Sequence, residues 1–133
     1  MDGERMGFES GSRKSELGRR GEEIAYEWLC THTELEVIER NWRCRLGEAD
    51  IIAWDKGVLV FVEVKTRADL SRGLPEEAVT SAKRRRYEKI ACCYLADHRF
   101  DDCRVRFDVI GILLLETCQP IIHYYPDAFG AGD

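Results

Sequence analysis

Glu63 and Lys65 stand two residues apart, and Asp50 lies thirteen positions before Glu63. Two acids and an amine are the residue types that hold a hard divalent cation and manage a proton beside it. Carboxylate and carbonyl oxygens are the preferred ligands of magnesium. Two carboxylates side by side repel each other and push one pKa upward, a conflict that a bound cation removes. An ammonium at their edge can orient or deprotonate a water, or neutralise a developing anion. A metal beside such a group suits attack of water on a phosphodiester. By itself an E-x-K tripeptide usually means only an ion pair at the end of a sheet, Glu63–Lys65 or Glu48–Lys65. The acid that opens the preceding strand strengthens the metal reading.

The stretch "GEADIIAWDKGVLVFVEVKTR", Gly47 to Arg67, must position these groups. It reads as a β-hairpin. Alternate residues of a strand share a face, so Val58, Val60, Val62 and Val64 form one apolar face that should pack on a helix. Leu59, Phe61, Glu63 and Lys65 form the other. That face turns from apolar to charged along its length, with the Cα atoms of Glu63 and Lys65 about 6.6 Å apart. A two-residue loop at Lys56–Gly57 sets Asp50 opposite Glu63 and Glu48 opposite Lys65. A three-residue loop slips the register by one and sends Asp50 to the valine face, and Gly57 suits either loop. Burial favours the first, because an unpaired carboxylate among valines costs several kcal/mol. Asp50 and Glu63 then form a metal-binding pair, and the carbonyl of Val64 can add a third oxygen.

The surrounding elements follow from periodicity. Ile24, Ala25, Trp28 and Leu29 mark one face of a helix over residues 17–31, with Glu22 at the edge of that face. A short strand over 35–45 is irregular around Asn41. Gly73 and Pro75 mark a loop. A second helix carries Tyr87, Ile90, Ala91, Tyr94 and Leu95 on one stripe, with Thr80 or Ser81 as N-cap. A strand follows with Val105, Phe107 and Val109 on one face, and "PIIHYY" closes the fold as an edge strand. Asp108, in "RFDVI", reads as a fold-supporting hydrogen-bond acceptor. The order αβββαββ makes an α/β or α+β sandwich, helices against a mixed sheet. Residues 1–16 read as a disordered tail, 17–125 as one domain and 126–133 as a flexible tail.

Composition sets wider limits. The 133 residues suit one hydrophobic core, and the balance of 44% hydrophobic to 34% charged residues is that of a soluble domain. No apolar run approaches the length of a membrane span. The N-terminus has no apolar signal region, so a cytoplasmic location is expected. Six cysteines without a CxxC pair read as free thiols, and no zinc-ligand spacing is present. The net charge of −5 argues against a protein that coats nucleic acid through overall charge. Local basic clusters remain at Arg43 and Arg45, at Lys65 and Arg67, and in "KRRR" from Lys83 to Arg86.

The segments "GRRGEEIAYEWL", "RNWRCRLGEADIIA", "LVFVEVKTR", "EAVTSAKRRR" and "RFDVIGI" resemble the YraN family of uncharacterised bacterial proteins. That family is similar to the PD-(D/E)xK, restriction-endonuclease-like nucleases, and among them to archaeal Holliday-junction resolvases. The resemblance covers residues 17–125. It implies a restriction-endonuclease-like sandwich and an endonuclease acting on structured or branched DNA with Mg²⁺ or Mn²⁺. It sets the superfamily aspartate on Asp50, the E-x-K on Glu63 and Lys65, and the helix-borne glutamate of resolvase-like members on Glu22. The superfamily proline is absent, since Ala49 precedes Asp50. Glu48 has no fixed role; it can meet a metal through water or pair with Lys65. Arg43, Arg45, Arg67, Lys83 and Arg84 become expected phosphate contacts, which position a nucleic acid without reading its sequence. Resolvase-like relatives work as dimers, so a homodimer is implied, although the sequence shows no dimer seam. A non-catalytic nucleic-acid-binding module and a protein-interaction domain are the alternatives.

Overall fold

The computed structural model describes residues 14–78, 80–98 and 103–128. Helix α1 spans Glu16–His32. Strands β1 (Glu36–Cys44), β2 (Gly47–Asp55) and β3 (Val58–Arg67) follow. A 3₁₀ turn, Pro75–Ala78, leads into helix α2, Ser81–His98. Strands β4 (Arg104–Leu113) and β5 (Ile121–Tyr125) complete the expected αβββαββ order.

The five strands lie in sequence order, β1-β2-β3-β4-β5. All neighbours are antiparallel except β3 and β4. A parallel pair needs a crossover, and the 3₁₀ turn with α2 supplies it. β3 is therefore central and covered on both faces, which is why its first seven residues are almost all apolar.

The two helices cover opposite faces of the sheet. Ala25 and Leu29 of α1 pack on Ile51, Ala53, Val60, Val62 and Val64. Tyr87, Ile90, Ala91 and Tyr94 of α2 pack on Ala49, Ile52, Leu59 and Phe61. The valine face thus meets a helix, as the alternation requires. The stripes expected on both helices are the ones that are buried.

The turn resolves the register. Asp55 pairs with Val58, leaving the two-residue loop Lys56–Gly57. Both loop residues have positive φ, 51° and 93°. That is the hairpin turn whose twist matches that of the strands, and Gly57 takes its second position without penalty. Ile51 pairs with Val62, the last pair of this ladder, as the two-residue loop requires.

Both ends of the domain are tied down further than their composition suggests. Ser15 caps α1 by accepting the Gly18 N–H at 3.0 Å, so Lys14, Ser15 and Glu16 are structured rather than part of a disordered tail. Residues 1–13 of that tail lie outside the described residues. At the other end, the Asp127 N–H donates to Asp108 at 2.8 Å and the Ala128 N–H to the Phe107 carbonyl at 2.8 Å. Residues 129–133 also lie outside the described set. Asp108 supports the fold as expected. It is 1% exposed and takes hydrogen bonds from Arg106, Tyr124 and the Asp127 main chain.

Candidate active site

A cavity of about 740 Å³ opens at the end of the sheet where β2 begins and β3 ends. Glu22 from α1, Glu48 and Asp50 from β2, and Glu63, Val64 and Lys65 from β3 all line it. Helix α1 and the two strands of the β2–β3 hairpin thus deliver the acids and the lysine that the sequence singles out. Glu22, Asp50 and Glu63 are all buried, at 7%, 8% and 5% exposure. Buried carboxylates need partners, so their hydrogen bonds decide what the site can do.

Asp50 is held by the main chain of its neighbour. Its Oδ2 accepts the Val64 N–H at 2.8 Å. Burial raises the Asp50 pKa well above the usual carboxylate range, and the charges of Glu63 and Glu22 raise it further. Burial likewise raises Glu22, against the lowering effect of a nearby ammonium.

Glu63 is clamped on both oxygens. The Tyr87 hydroxyl donates to Oε1 at 2.6 Å, and Lys83 Nζ donates to Oε2 at 2.7 Å. The Tyr87 oxygen also accepts the Asp50 main-chain N–H at 3.4 Å. One α2 side chain therefore touches both acidic positions. Burial and the charges of Asp50 and Glu63 raise the Tyr87 pKa well above the ordinary value, so it stays protonated and donating.

Lys65 forms neither of the ion pairs that its spacing suggests. Glu63 pairs with Lys83 instead, and Glu48 with Lys14. Burial lowers the Lys65 pKa, and the neighbouring charge of Lys83 lowers it further. An amine so placed gives up a proton more readily than a surface lysine.

Two further side chains that meet these acids escaped the sequence reading. Lys14 Nζ stands 3.1 Å from Glu22, 3.4 Å from Glu48 and 3.4 Å from Asp50. Burial opposes its charge, but Asp50 and Glu22 outweigh burial and the pKa is raised. Asn41 adopts a left-handed backbone, φ 55°. With its amide nitrogen turned to the acids, it donates to Glu22 Oε1 at 2.9 Å and Glu48 Oε2 at 3.0 Å. Left-handed non-glycine residues concentrate at functional sites, and the irregularity read around Asn41 was the available signal. Lys14 had none, because it sits in a polar, glycine- and serine-rich run.

The basic residues divide. Arg43, Arg45 and Lys83 line the cavity, joined by Arg86. Arg67 and Arg84 are not among the residues that line it. Lys83 and Arg86 are three apart and share a helical face, whereas Arg84 is turned about 100° from Lys83. Arg67, at the end of β3, and Arg84 each bury an Nε atom that has no hydrogen-bond partner.

The donor chemistry fits a divalent cation. Three carboxylates from α1 and β2 already surround one positive centre, the Lys14 ammonium, at contact distance. As they stand, no three acidic, histidine or cysteine side chains among the described residues close into a metal cage.

The profile of the uncharacterised protein family UPF0102 matches residues 21–112. Relatives described as UPF0102 proteins align over most of both chains. One from Rhodococcus opacus is 47% identical over 113 residues, 85% of this chain and 95% of its own. One from Nocardia farcinica is 42% identical over 116 residues, 87% and 91% of the two chains. One from Trichlorobacter lovleyi is 41% identical over 120 residues, 90% and 94%. No helix among the described residues is long and apolar enough to cross a membrane.

Proposed function

The chain belongs to the uncharacterised protein family UPF0102, and we propose that its acidic cavity is the centre of a metal-dependent endonuclease acting on structured or branched DNA. One observation carries this reading. Glu22, Asp50, Glu63 and Lys65 come from α1, β2 and β3 and line a single cavity. A structural ion pair would need none of that convergence.

Glu22, Asp50 and Glu63, with the Val64 carbonyl, would hold Mg²⁺ or Mn²⁺. When bound there, such an ion supplies Lewis-acid polarisation of a phosphodiester and lowers the pKa of a water. The protein's own groups do the rest. Tyr87 and Lys83 hold Glu63 in one orientation. Lys65, its pKa lowered by burial and by Lys83, is suited to take a proton from water or to offset charge on phosphate oxygens. Arg43, Arg45, Lys83 and Arg86 line the wall along which a phosphate backbone would run.

The test is cleavage. Purified protein is incubated with Mg²⁺ or Mn²⁺ and duplex, flap, fork and four-way DNA substrates. Cutting that disappears in both Asp50→Asn and Lys65→Ala supports the reading. Cutting unchanged in both would assign the activity to a contaminant.

One observation favours a second reading, a non-catalytic nucleic-acid-binding module. Lys14 and Lys83 already neutralise the acids without a metal. That reading expects salt-sensitive DNA binding that survives Asp50→Asn and needs no divalent ion.

A further inference from the structure

The acids of the cavity fall into two groups about Asp50. On the α2 side, Glu63 is taken by Tyr87 and Lys83. On the α1 side, Glu22, Glu48 and Asp50 converge on Lys14, with three contacts between 3.1 and 3.4 Å. Asn41 bridges Glu22 and Glu48 from behind at 2.9 and 3.0 Å, fixing their separation.

The position of Lys14 is built rather than incidental. Its main-chain carbonyl accepts Arg19 Nη1 at 2.8 Å, and the next residue, Ser15, caps α1. Backbone and cap thus aim the side chain inward, leaving it 23% exposed. Lys14 itself precedes the helix. Its ammonium can leave by side-chain rotation without breaking an α1 hydrogen bond.

An ammonium and a divalent ion ask for the same thing here, which is several carboxylate oxygens around one positive centre. They cannot share it. We propose that Lys14 is a tethered cation that competes with a divalent metal for the Glu22/Glu48/Asp50 subsite, so that metal enters only as Lys14 leaves. This rests on the metal-binding reading above. It adds that the subsite includes Glu48, and that the chain carries its own competitor for the ion.

The test is Mn²⁺ and Mg²⁺ titration by calorimetry into full-length protein, wild type against Lys14→Met and Lys14→Arg, with no DNA present. Removing the ammonium that occupies these carboxylates at 3.1–3.4 Å should tighten Mn²⁺ binding in Lys14→Met by roughly tenfold or more, because metal no longer has to displace it. Lys14→Arg, which keeps the charge, should stay near wild type. Thermal melts give a second readout. Lys14→Met should melt lower than wild type without metal and gain more from the same Mn²⁺ concentration, because its site binds without displacing an ammonium. Should the methionine variant not fold, Lys14→Gln removes the charge while keeping a hydrogen-bond donor, and the same tightening is expected. Equal or weaker affinity in the uncharged variants overturns the competition and leaves the nuclease reading standing. Absence of metal binding in every protein overturns both.

Discussion

The carboxylate of Asp50 accepts the main-chain N–H of Val64 at 2.8 Å, and this bond ends the β2–β3 ladder where the site begins. The last paired residues are Ile51 and Val62. Beyond them, a side chain takes the place of a strand partner. A group that serves the sheet also stands beside Glu63, and its charge is costly there.

That cost is measurable. Burial, Glu63 and Glu22 raise the Asp50 pKa, so the folded state binds its proton more tightly than the unfolded chain does. By linkage, stability is greatest below the unfolded-chain carboxylate pKa and falls as pH rises through the raised folded value. Asp50→Asn keeps an oxygen for the Val64 N–H and removes the ionisation. Metal-free Asp50→Asn should melt higher than wild type at neutral pH, and its melting temperature should fall less between acidic and neutral pH. Calorimetric scans across that range check both. A lower melting temperature at neutral pH would mean that the Lys14 and Val64 contacts outweigh the burial cost.

Gly21 sets how closely α1 approaches β3. A Cβ added there would lie 1.8 Å from Thr66 Oγ1 and 2.8 Å from Thr66 Cβ. Thr66 is anchored in the central strand, so it cannot simply swing away. Gly21→Ala should destabilise the protein by about 1–3 kcal/mol through overpacking. It should also push the neighbouring Glu22 out of the cavity, weakening Mn²⁺ binding in a protein that still folds. Chemical denaturation and calorimetry read the two effects separately.

Much of this arrangement is legible in the sequence because it depends on period and spacing. The valine alternation fixes which face of β3 meets α1, and burial selects the two-residue loop whose register pairs Ile51 with Val62. Side chains that reach across elements are less legible. Tyr87 falls on the apolar stripe of α2, and nothing in that stripe says that its hydroxyl ends on Glu63. Lys14 lies in a run whose composition reads as unstructured. Its order comes from Ser15, Arg19 and the acids it meets, all tertiary or capping effects. Arg84 and Arg86 look equivalent in "KRRR" until the helix phase relative to Ile90 is known.

Tyr87→Phe isolates one hydroxyl. Glu63 Oε1 loses its 2.6 Å donor and the Asp50 N–H loses a weak acceptor, while the ring packing against Phe107 is retained. The loss should cost about 1–3 kcal/mol, since a buried carboxylate oxygen is left without a partner. With Glu63 held only by Lys83, any Mn²⁺-dependent activity should need more metal to saturate. Denaturant midpoints and metal titrations at fixed substrate give the two numbers.

Asn41 separates backbone from side chain. Its φ of 55° penalises a residue that has a Cβ and no local hydrogen bonding. Asn41→Gly removes the amide but suits the backbone, whereas Asn41→Ala removes the amide and keeps the strain. The alanine variant should be less stable than the glycine variant by about 1 kcal/mol. Both should lose the bridge between Glu22 and Glu48 equally, and so show the same change in metal affinity. Denaturation midpoints that coincide would remove backbone strain from this account.

The basic wall yields the sharpest contrast, between two arginines two residues apart. Arg86 lines the acidic cavity beside Lys83, and Arg84 does not. Each phosphate contact releases counterions, so removing one lowers the slope of log affinity against log salt by about 1. Arg86→Ala should weaken binding of a branched DNA and flatten that slope. Arg84→Ala, with the same loss of net charge, should leave the slope near wild type. Fluorescence anisotropy across a salt series, in the presence of Ca²⁺ to hold the acids without cutting, measures both. If the two variants lose the same slope, the protein senses only their summed charge, and the wall formed by Lys83 and Arg86 is not where DNA lies.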